Sequence, residues 1–295
     1  MIRARRFPLN QFRVQGRTQG KQEWEATLFG SDSYRVVDQV GRGEVDIALM
    51  NPAGPLAAAY RGKAAWSQPV PVRAITVIPS LDWIVFVVAD RTGLRSLADI
   101  KEQRYPLKMS LRTQPDHATH LYIDQVLKCY GFSVADIVSW GGAVISSSQM
   151  SFQPDRTDKV KTGEVDAIFD EAAPPLIRMT NDLGMHLLPL EEPVLQRMDD
   201  VGFHRSLITK EMFPNLDADV PALDFSGWPV YTHASASDDL IYAFCRALDA
   251  RKSLIIWQEP RDLPLAEMCH DTQAGPLKIP LHPAAERYWR EVGYL

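Results

Sequence analysis

The tetrapeptide Gly-Glu-Val-Asp occurs twice in this chain of 295 residues, at 43–46 and at 163–166. Each copy is followed by an apolar run of strand length, Ile47–Met50 in the first and Ala167–Phe169 in the second. The glycine is typical of the residue after a helix C-terminus, because without a Cβ it adopts the left-handed conformation at little cost. A continuous apolar run is typical of a strand buried on both faces of a parallel sheet. The repeat therefore predicts an α/β unit used twice, and hence two similar lobes.

The loops after these two runs are the first candidates for a ligand site. They begin at Asn51 and at Asp170-Glu171. In open α/β sheets ligands bind at the carboxyl ends of the strands, so both loops are expected to line one crevice between the lobes. The opposing interpretation is that the tetrapeptide repeats by chance and that these loops bind nothing.

Composition limits the class of partner. A hydrophobic content of 45% and a charged content of 23% are typical of a folded globular protein, and the length suits two domains that each bury a core. The net charge of −5 and the lack of an arginine-rich helix argue against nucleic acid. No run approaches the roughly 20 apolar residues of a membrane helix, so no direct membrane insertion is expected.

Metal and cofactor chemistry has no sequence pattern here. The three cysteines, Cys129, Cys245 and Cys269, are odd in number and widely spaced, which predicts neither a disulfide framework nor a metal cluster. His117 and His120 are three residues apart, but no third ligand supports them. The sequence therefore predicts no metal site and no cofactor.

Local patterns predict the order of the elements. Strands are expected at 24–29, 72–79, 83–89, 107–111, 186–189 and 228–233, and helices at 33–41, 54–62, 174–182, 238–251 and from Pro283. The run 83–89 is the most apolar in the chain and is predicted to be a central strand. Ser96 is predicted to cap a short helix, and Pro115 to start another with Gln114 as its cap. Residues 1–22 are expected to form a weak strand or a loose arm, and 216–229 a loop.

Taken in order, these segments resemble the TAXI family, the solute-binding proteins of one class of tripartite ATP-independent periplasmic (TRAP) transporters. The resemblance runs from about residue 24 to 295, and the end of the chain is its most specific part. The segments that carry it are Gly43–Ala48, 83–89 with Leu94–Ile100, Lys108–Leu111 with its helix, Gly163–Asp166, Asp238–Tyr242 and Pro280–Tyr288.

The resemblance implies the two-lobed α/β fold of the type II periplasmic binding proteins, with crossing strands between the lobes. The first lobe would contain residues 1–92 and 209–295, and the second would contain 93–208. Family members open with a strand and a glycine-rich turn before the first helix. Residues 1–22 stand in place of that unit, so the first lobe is expected to be incomplete at its start.

The implied function is that of a receptor which closes on a small organic anion, a carboxylate, and delivers it to the permease subunits of a TRAP transporter. The implied location is the periplasm. The basic start of the chain is not followed by the apolar segment of roughly 7–15 residues that an export signal needs, which leaves a cytoplasmic location open. Carried over by position, the ligand-binding residues would be Ser31, Ser33, Tyr34, Asn51, Arg112, Thr113, Gln114, His117, Thr119, Glu171, Thr232 and His233.

The segment from Arg112 to Thr119 has the clearest chemistry. A helix N-terminus presents unpaired backbone N–H groups and a partial positive charge to a carboxylate, and Arg112 could donate two parallel hydrogen bonds to it. His117 and His233 could titrate near neutral pH and tune anion binding, or they could be ordinary polar or core histidines. Asp116 would repel an anion unless Arg112 or His117 neutralises it. The alternative is that Arg112 and Asp116 pair with each other at the surface.

An enzyme is not expected. The chain has no Gly-x-Ser-x-Gly elbow and no glycine-rich dinucleotide motif, and no paired-carboxylate site stands out. A cytoplasmic small-molecule enzyme or a ligand sensor on the same two-lobed fold remains the alternative.

Overall fold

The computed structural model describes residues 10–17, 23–31, 33–257 and 259–295, and for the first two ranges it describes the backbone alone. The described residues separate into two compact units. The first unit contains those up to Leu81 and those from Ser226 onward, and the second contains Asp82–Phe225. The chain therefore passes from one unit to the other twice.

The elements alternate between strands and helices along most of the chain. The strands are β1 Asn10–Arg17, β2 Glu23–Ser31, β3 Ile47–Met50, β4 Val72–Ile78, β5 Trp83–Ala89, β6 Lys108–Arg112, β7 Ala143–Ser147, β8 Ala167–Asp170, β9 Met185–Leu187, β10 Arg205–Ile208, β11 Val220–Asp224 and β12 Trp228–His233. The α-helices are α1 Val36–Gly41, α2 Ala53–Arg61, α3 Leu97–Glu102, α4 Ala118–Tyr130, α5 Val134–Ser139, α6 Pro154–Thr162, α7 Ala173–Leu183, α8 Glu192–Val201, α9 Asp238–Ala250, α10 Leu265–Met268 and α11 Pro283–Glu291. A short 3-10 helix spans Asp90–Thr92.

The first unit is built on a sheet with the strand order β1-β2-β3-β12-β4. Strands β2 and β3 are parallel, whereas β12 is antiparallel to both β3 and β4. Apolar residues of α9 and α11 form a core with residues of the sheet, including Ile241, Ile75 and Trp289. The indole of Trp289 donates a hydrogen bond to the Ile75 carbonyl oxygen at 2.8 Å. This bond satisfies the one polar atom that the Trp289 side chain brings into the core.

The second unit is built on a sheet with the order β10-β11-β5-β8-β6-β7, and β9 also pairs with β5. Strands β7, β6 and β8 are parallel, and β5 is antiparallel to β8. All seven residues of β5 are buried. The prediction that the run 83–89 forms a central, doubly covered strand is therefore confirmed.

The tetrapeptide repeat marks the same position in both sheets. Gly43 and Gly163 both have positive φ, 72° and 80°, close after the ends of α1 and α6. The strands that follow, β3 and β8, each lie between a parallel neighbour and an antiparallel one. The prediction of an α/β unit used twice is confirmed.

The segments that pass between the units also correspond. In the first unit, Ile78 at the end of β4 pairs with Trp228 at the start of β12. In the second unit, Asp224 at the end of β11 pairs with Trp83 at the start of β5. In each unit, the strand that leaves therefore pairs with the strand that enters.

Several sequence predictions require correction. The strand at 83–89 was expected in the first lobe but lies in the second unit, because its partners β8, β9 and β11 all belong to that unit. The span 216–229 is not only a loop, since it contains β11. Helix α4 begins at Ala118 rather than at Pro115. Of the expected arm at 1–22, residues 10–17 form β1, and the remainder lies outside the described residues.

Candidate functional site

The parallel strands of the second unit end together at a polar edge of the sheet. Strands β6, β7 and β8 end at Arg112, Ser147 and Asp170, and their registers bring these ends side by side. The loops after them lead into α4, α6 and α7. We refer to Asp82, Arg112–His117, Ser147–Gln153 and Asp170–Ala173 as the polar edge. Its position is where open α/β sheets bind ligands.

Arg112 is held at the polar edge by carboxylates of the protein itself. Its Nε donates to Asp170 Oδ1 at 2.9 Å, and its Nη2 pairs with Glu171. Its Nη1 lies 3.4 Å from the Gln149 carbonyl oxygen. The side chain is only 8% exposed. Since Arg112 already holds Asp170 and Glu171, a solute carboxylate has to share this guanidinium or replace one of its partners.

A second arginine, Arg156 on α6, binds Asp170 of the polar edge from the interior of the second unit. Arg156 is fully buried and forms an ion pair with Asp170, which is also fully buried. Its Nε donates to the Ser110 hydroxyl at 2.9 Å, and its Nη2 donates to the Ser110 carbonyl oxygen at 2.8 Å. A charge buried this deeply is tolerated because each guanidinium nitrogen of Arg156 has a protein acceptor. Sequence reasoning missed Arg156, although its place one helical turn before buried Val160 was a usable signal.

The N-terminus of α7 is occupied by Asp82. The Asp82 carboxylate accepts hydrogen bonds from the backbone N–H groups of Ala172 and Ala173, both at 2.9 Å, and from that of Trp83 at 2.8 Å. Burial raises the pKa of Asp82 to about 6, against these hydrogen bonds, which act to lower it. The anion site that a helix N-terminus provides is therefore filled from within the chain. Sequence reasoning missed this role, because Asp82 lies far from α7 along the chain.

Glu171 connects Arg112 to Asp82. Its carboxyl group pairs with Arg112 and hydrogen-bonds to Asp82. Burial raises the pKa of Glu171 well above its usual value, as do the nearby charges of Asp170 and Asp82, while Arg112 lowers it. Two carboxyl groups joined by a hydrogen bond need a proton between them, so Asp82 and Glu171 titrate as a pair.

His117 caps α4 and carries no charge at neutral pH. Its Nδ1 accepts a hydrogen bond from the Thr119 backbone N–H at 3.3 Å and lies 3.1 Å from the Thr119 hydroxyl. Burial lowers the pKa of His117 to about 4, helped by the charge of Arg112. The expectation that His117 titrates near neutrality is therefore wrong. The expectation of Gln114 as the cap is also wrong, because the imidazole of His117 supplies the acceptor.

The other predicted site residues of the segment Arg112–Thr119 differ in how exposed they are. Thr113 is exposed beyond the end of β6, and Gln114 donates to Asp116 at 3.0 Å. Thr119 is fully buried and its hydroxyl faces His117. Thr113 and Gln114 therefore lie at the surface of the polar edge, whereas Thr119 has a structural position.

The first unit has a corresponding edge at the ends of β2 and β3. Ser31 ends β2, and its side chain lies outside the described part of the structure. The buried Ser33 hydroxyl accepts from the Arg35 backbone N–H at 3.2 Å, and Tyr34 packs edge-on against Trp66. Asn51 follows β3 and donates to the Gly227 carbonyl oxygen at 3.1 Å. The structure thus places Ser33, Tyr34 and Asn51 at the predicted kind of edge, with the Asn51 amide already engaged.

Thr232 and His233 lie at the opposite end of the first sheet. Because β12 runs antiparallel to β3, Thr232 pairs with Ile47, the first residue of β3. Its buried hydroxyl donates to the Asp46 carbonyl oxygen at 2.6 Å. The His233 imidazole accepts from the Ser235 backbone N–H at 3.0 Å. Their grouping with Asn51 is therefore corrected: the antiparallel direction of β12 puts them at the other edge.

The described residues contain no group of three or more His, Cys, Asp and Glu side chains suited to holding a metal ion. No helix within the described ranges is both long and apolar enough to cross a membrane.

The profile of the NMT1-like family matches residues 29–293. The chain belongs to the NMT1-like family. The match covers both units, including the polar edge of the second and the edge formed by β2 and β3 in the first.

Several solved structures resemble parts of this NMT1-like chain at low sequence identity. The ligand-binding domain of AvGluR1 in complex with alanine is 13% identical, with 75% of this chain and 69% of that chain covered and a TM-score of 0.34. ProX from Borrelia burgdorferi, a glycine betaine and L-proline-binding protein of an ABC transporter, is 11% identical, with 70% and 64% covered and a TM-score of 0.40. The ATP phosphoribosyl transferase complex of Thermotoga maritima is 10% identical, with 74% and 75% covered and a TM-score of 0.34.

Proposed function

We propose that this protein is an extracytoplasmic receptor that binds a small organic acid and delivers it to a membrane permease of the TRAP type. Its membership of the NMT1-like family and its resemblance to the TAXI solute-binding proteins support this proposal. The two-unit α/β architecture is also what such a receptor requires.

The observation that carries the proposal is the polar edge of the second unit. It combines a largely buried Arg112 with Thr113 and Gln114 at the surface, at the carboxyl ends of three parallel strands. An arginine in a shielded position recognises a carboxylate strongly, because the guanidinium donates two parallel hydrogen bonds and keeps its charge at any physiological pH. The solute class we propose is therefore a small carboxylate, with Arg112 as its main contact.

A thermal-shift screen tests this function. The panel contains 2-oxo acids, dicarboxylates and aromatic acids, each added to the purified protein. An acid that binds only the folded chain raises the melting temperature, since it stabilises that state by about 2.7 kcal/mol at a concentration a hundredfold above Kd. If no acid shifts the transition and the protein instead turns over a small molecule, the receptor function is wrong and the enzyme alternative stands.

Matched variants link the binding to the polar edge. Thr113→Glu puts a negative charge beside Arg112 at an exposed position, so it is expected to weaken acid binding at least tenfold, about 1.4 kcal/mol. Thr162→Glu makes the same change at an exposed residue at the end of α6 and should leave the affinity unchanged. Equal affinities in the two variants would place the solute elsewhere.

A further inference from the structure

Of the two carboxylates on Arg112, only Glu171 is free to leave. Asp170 is fully buried and also pairs with Arg156. If Asp170 moved away, Arg156 would lose its carboxylate partner as well. The Glu171 side chain is 13% exposed, and its other partner is the carboxyl group of Asp82. Moving Glu171 off Arg112 therefore releases an acceptor from Arg112 Nη2, while the Asp170–Arg156 pair stays intact.

Asp82 gives the displaced carboxyl group a partner. It is fixed by three backbone N–H donors, at the start of β5 and at the N-terminus of α7. A protonated Glu171 can keep donating its hydrogen bond to this anchored carboxylate after Arg112 has been released. An ionised Glu171 cannot, because two adjacent carboxylates repel each other.

Building on the proposed function, we propose that Glu171 is an exchangeable internal ligand of Arg112. The carboxylate of the solute replaces it, and the exchange requires the proton of the Asp82–Glu171 pair, so the pair takes up a proton wherever the free protein has lost it.

The charges around Glu171 set the direction of the effect. It faces Asp170 at the end of β8, Arg112 at the end of β6 and Asp82 at the start of β5. Behind these lie Arg156, paired with Asp170, and His117, which is near both Arg112 and Asp170. When a solute carboxylate occupies Arg112, the ionised form of Glu171 loses its favourable partner and gains another negative neighbour. The bound state therefore holds the proton of the pair more tightly than the free state does.

The sign of the pH dependence follows from this difference. Because binding raises the pKa of the pair, affinity is highest when the pair is protonated and is lost as the pH rises through its titration. In the free protein, burial already raises the pKa values of both Asp82 and Glu171, so the loss is expected as the pH rises through the raised titration of the pair. Because one proton is involved, the affinity can fall by at most about tenfold for each unit of pH.

Calorimetric titration tests the exchange, with succinate, 2-oxoglutarate and benzoate as probes between roughly pH 5 and roughly pH 8, the range in which a raised carboxyl pKa falls. For wild type, we expect the affinity to fall with pH, and the apparent binding enthalpy to change with the ionisation enthalpy of the buffer, as proton uptake requires. In Glu171→Gln the amide cannot ionise, so binding should be nearly independent of pH. Near pH 8 it should also be at least about tenfold tighter than in wild type.

Glu164→Gln is the matched control, because it makes the same change at a residue of the second unit that is hydrogen-bonded to Thr162 and lies outside the polar edge. It should keep the pH dependence of wild type. If an acid binds with a pH-independent affinity and Glu171→Gln behaves like wild type, the exchange is overturned while the receptor function stands. If no probe binds wild type at any pH, both the exchange and the proposed function fail.

Discussion

The corresponding edges of the two units are built from different chemistry. In the second unit the edge contains a network of charged groups, in which Arg112, Arg156 and Asp170 are paired below the surface. In the first unit the described groups include the Ser33 hydroxyl and the Asn51 amide. The contrast teaches that the repeated α/β unit fixes where a polar edge lies, whereas the residues after each strand decide what it can bind.

The outer part of each sheet shows where the units diverge. In the second unit, β6 and β7 are parallel and are connected through α4 and α5, which brings the N-terminus of α4 to the polar edge. In the first unit, β1 and β2 are antiparallel, and only residues 18–22 separate them. A parallel crossover needs a dozen or more residues. The described residues directly before β2 thus form an antiparallel strand, whereas helix α5 precedes β7.

The largest effect on stability is expected from removing the buried negative charge of Asp170 at the polar edge. Asp170→Asn leaves two buried arginines without their shared carboxylate, which should lower the free energy of unfolding by about 3–5 kcal/mol. Denaturant unfolding measures the loss, and hydrogen exchange should place it within Asp82–Phe225. Asp124→Asn, which breaks an exposed pair with Lys128, should cost less than about 1 kcal/mol. Similar losses in both variants would mean that the buried network does not stabilise the second unit.

A smaller effect, dependent on pH, is expected at Asp82. Burial raises its pKa from 3.8 to about 6, so the folded state binds this proton more tightly than the unfolded state does. The stability that comes from this proton is present below about pH 4 and is lost as the pH rises to about 6, by about 1–3 kcal/mol in total. Asp82→Asn should make this slope shallower, as measured by urea unfolding across the range, while Glu171, whose pKa is also raised by burial, keeps its own contribution. Asp158→Asn, at an exposed residue of α6, should leave the slope as in wild type, and an unchanged slope in Asp82→Asn would assign it to other groups.

The two glycines of the repeat should respond equally. Gly43 and Gly163 both have positive φ, and a Cβ added to either meets no atom within 4 Å. Gly43→Ala and Gly163→Ala should therefore each cost only the left-handed backbone penalty, about 1–2 kcal/mol, as measured by thermal unfolding. Losses that differ by more than about 1 kcal/mol would show that the repeat is not structurally equivalent in the two units.

The smallest effect is expected at Thr232, at the far end of the first sheet. Thr232→Val removes the hydrogen bond to the Asp46 carbonyl oxygen, which should lower stability by about 1 kcal/mol. The affinity for any acid found in the screen should not change, because this end of the sheet is opposite the edge that carries Asn51. A weaker affinity would mean that Thr232 contributes to the binding site, contrary to its position at the opposite end of the sheet from Asn51.

Much of the fold could be predicted because it is encoded locally. The glycines of the repeat, the apolar run of β5 and the Ser96 cap each act through neighbours in sequence. Strand β11 was missed because Val220–Asp224 is short and includes Pro221 and an aspartate, Asp224. Such a strand is fixed by its pairing with β10 and β5, which no local pattern shows.

The candidate site could be predicted in position but not in its charge balance. The ends of β3, β6 and β8 were located to within one residue; the loops after β3 and β8 brought Asn51 and Glu171 into consideration, and the TAXI resemblance brought in Arg112. The pairing of Arg112 with Asp170, and the binding of Asp82 to the N-terminus of α7, join residues far apart in the chain. Arg112 and Glu171 were therefore predicted to face a solute, although the folded chain pairs them with each other.

The way the chain enters and leaves the second unit has a consequence for its synthesis. The backbone N–H of Phe225 donates to the carbonyl oxygen of Asp82 at 2.9 Å, so the two ends of this continuous segment meet. On the ribosome, Asp82–Phe225 can fold as soon as it emerges, since all of its strands are then available. The first sheet cannot be completed until β12 is translated, because β12 lies between β3 and β4. Nascent chains stalled when residues up to 225 have just emerged from the ribosome should therefore carry a finished second unit and an unfinished first one.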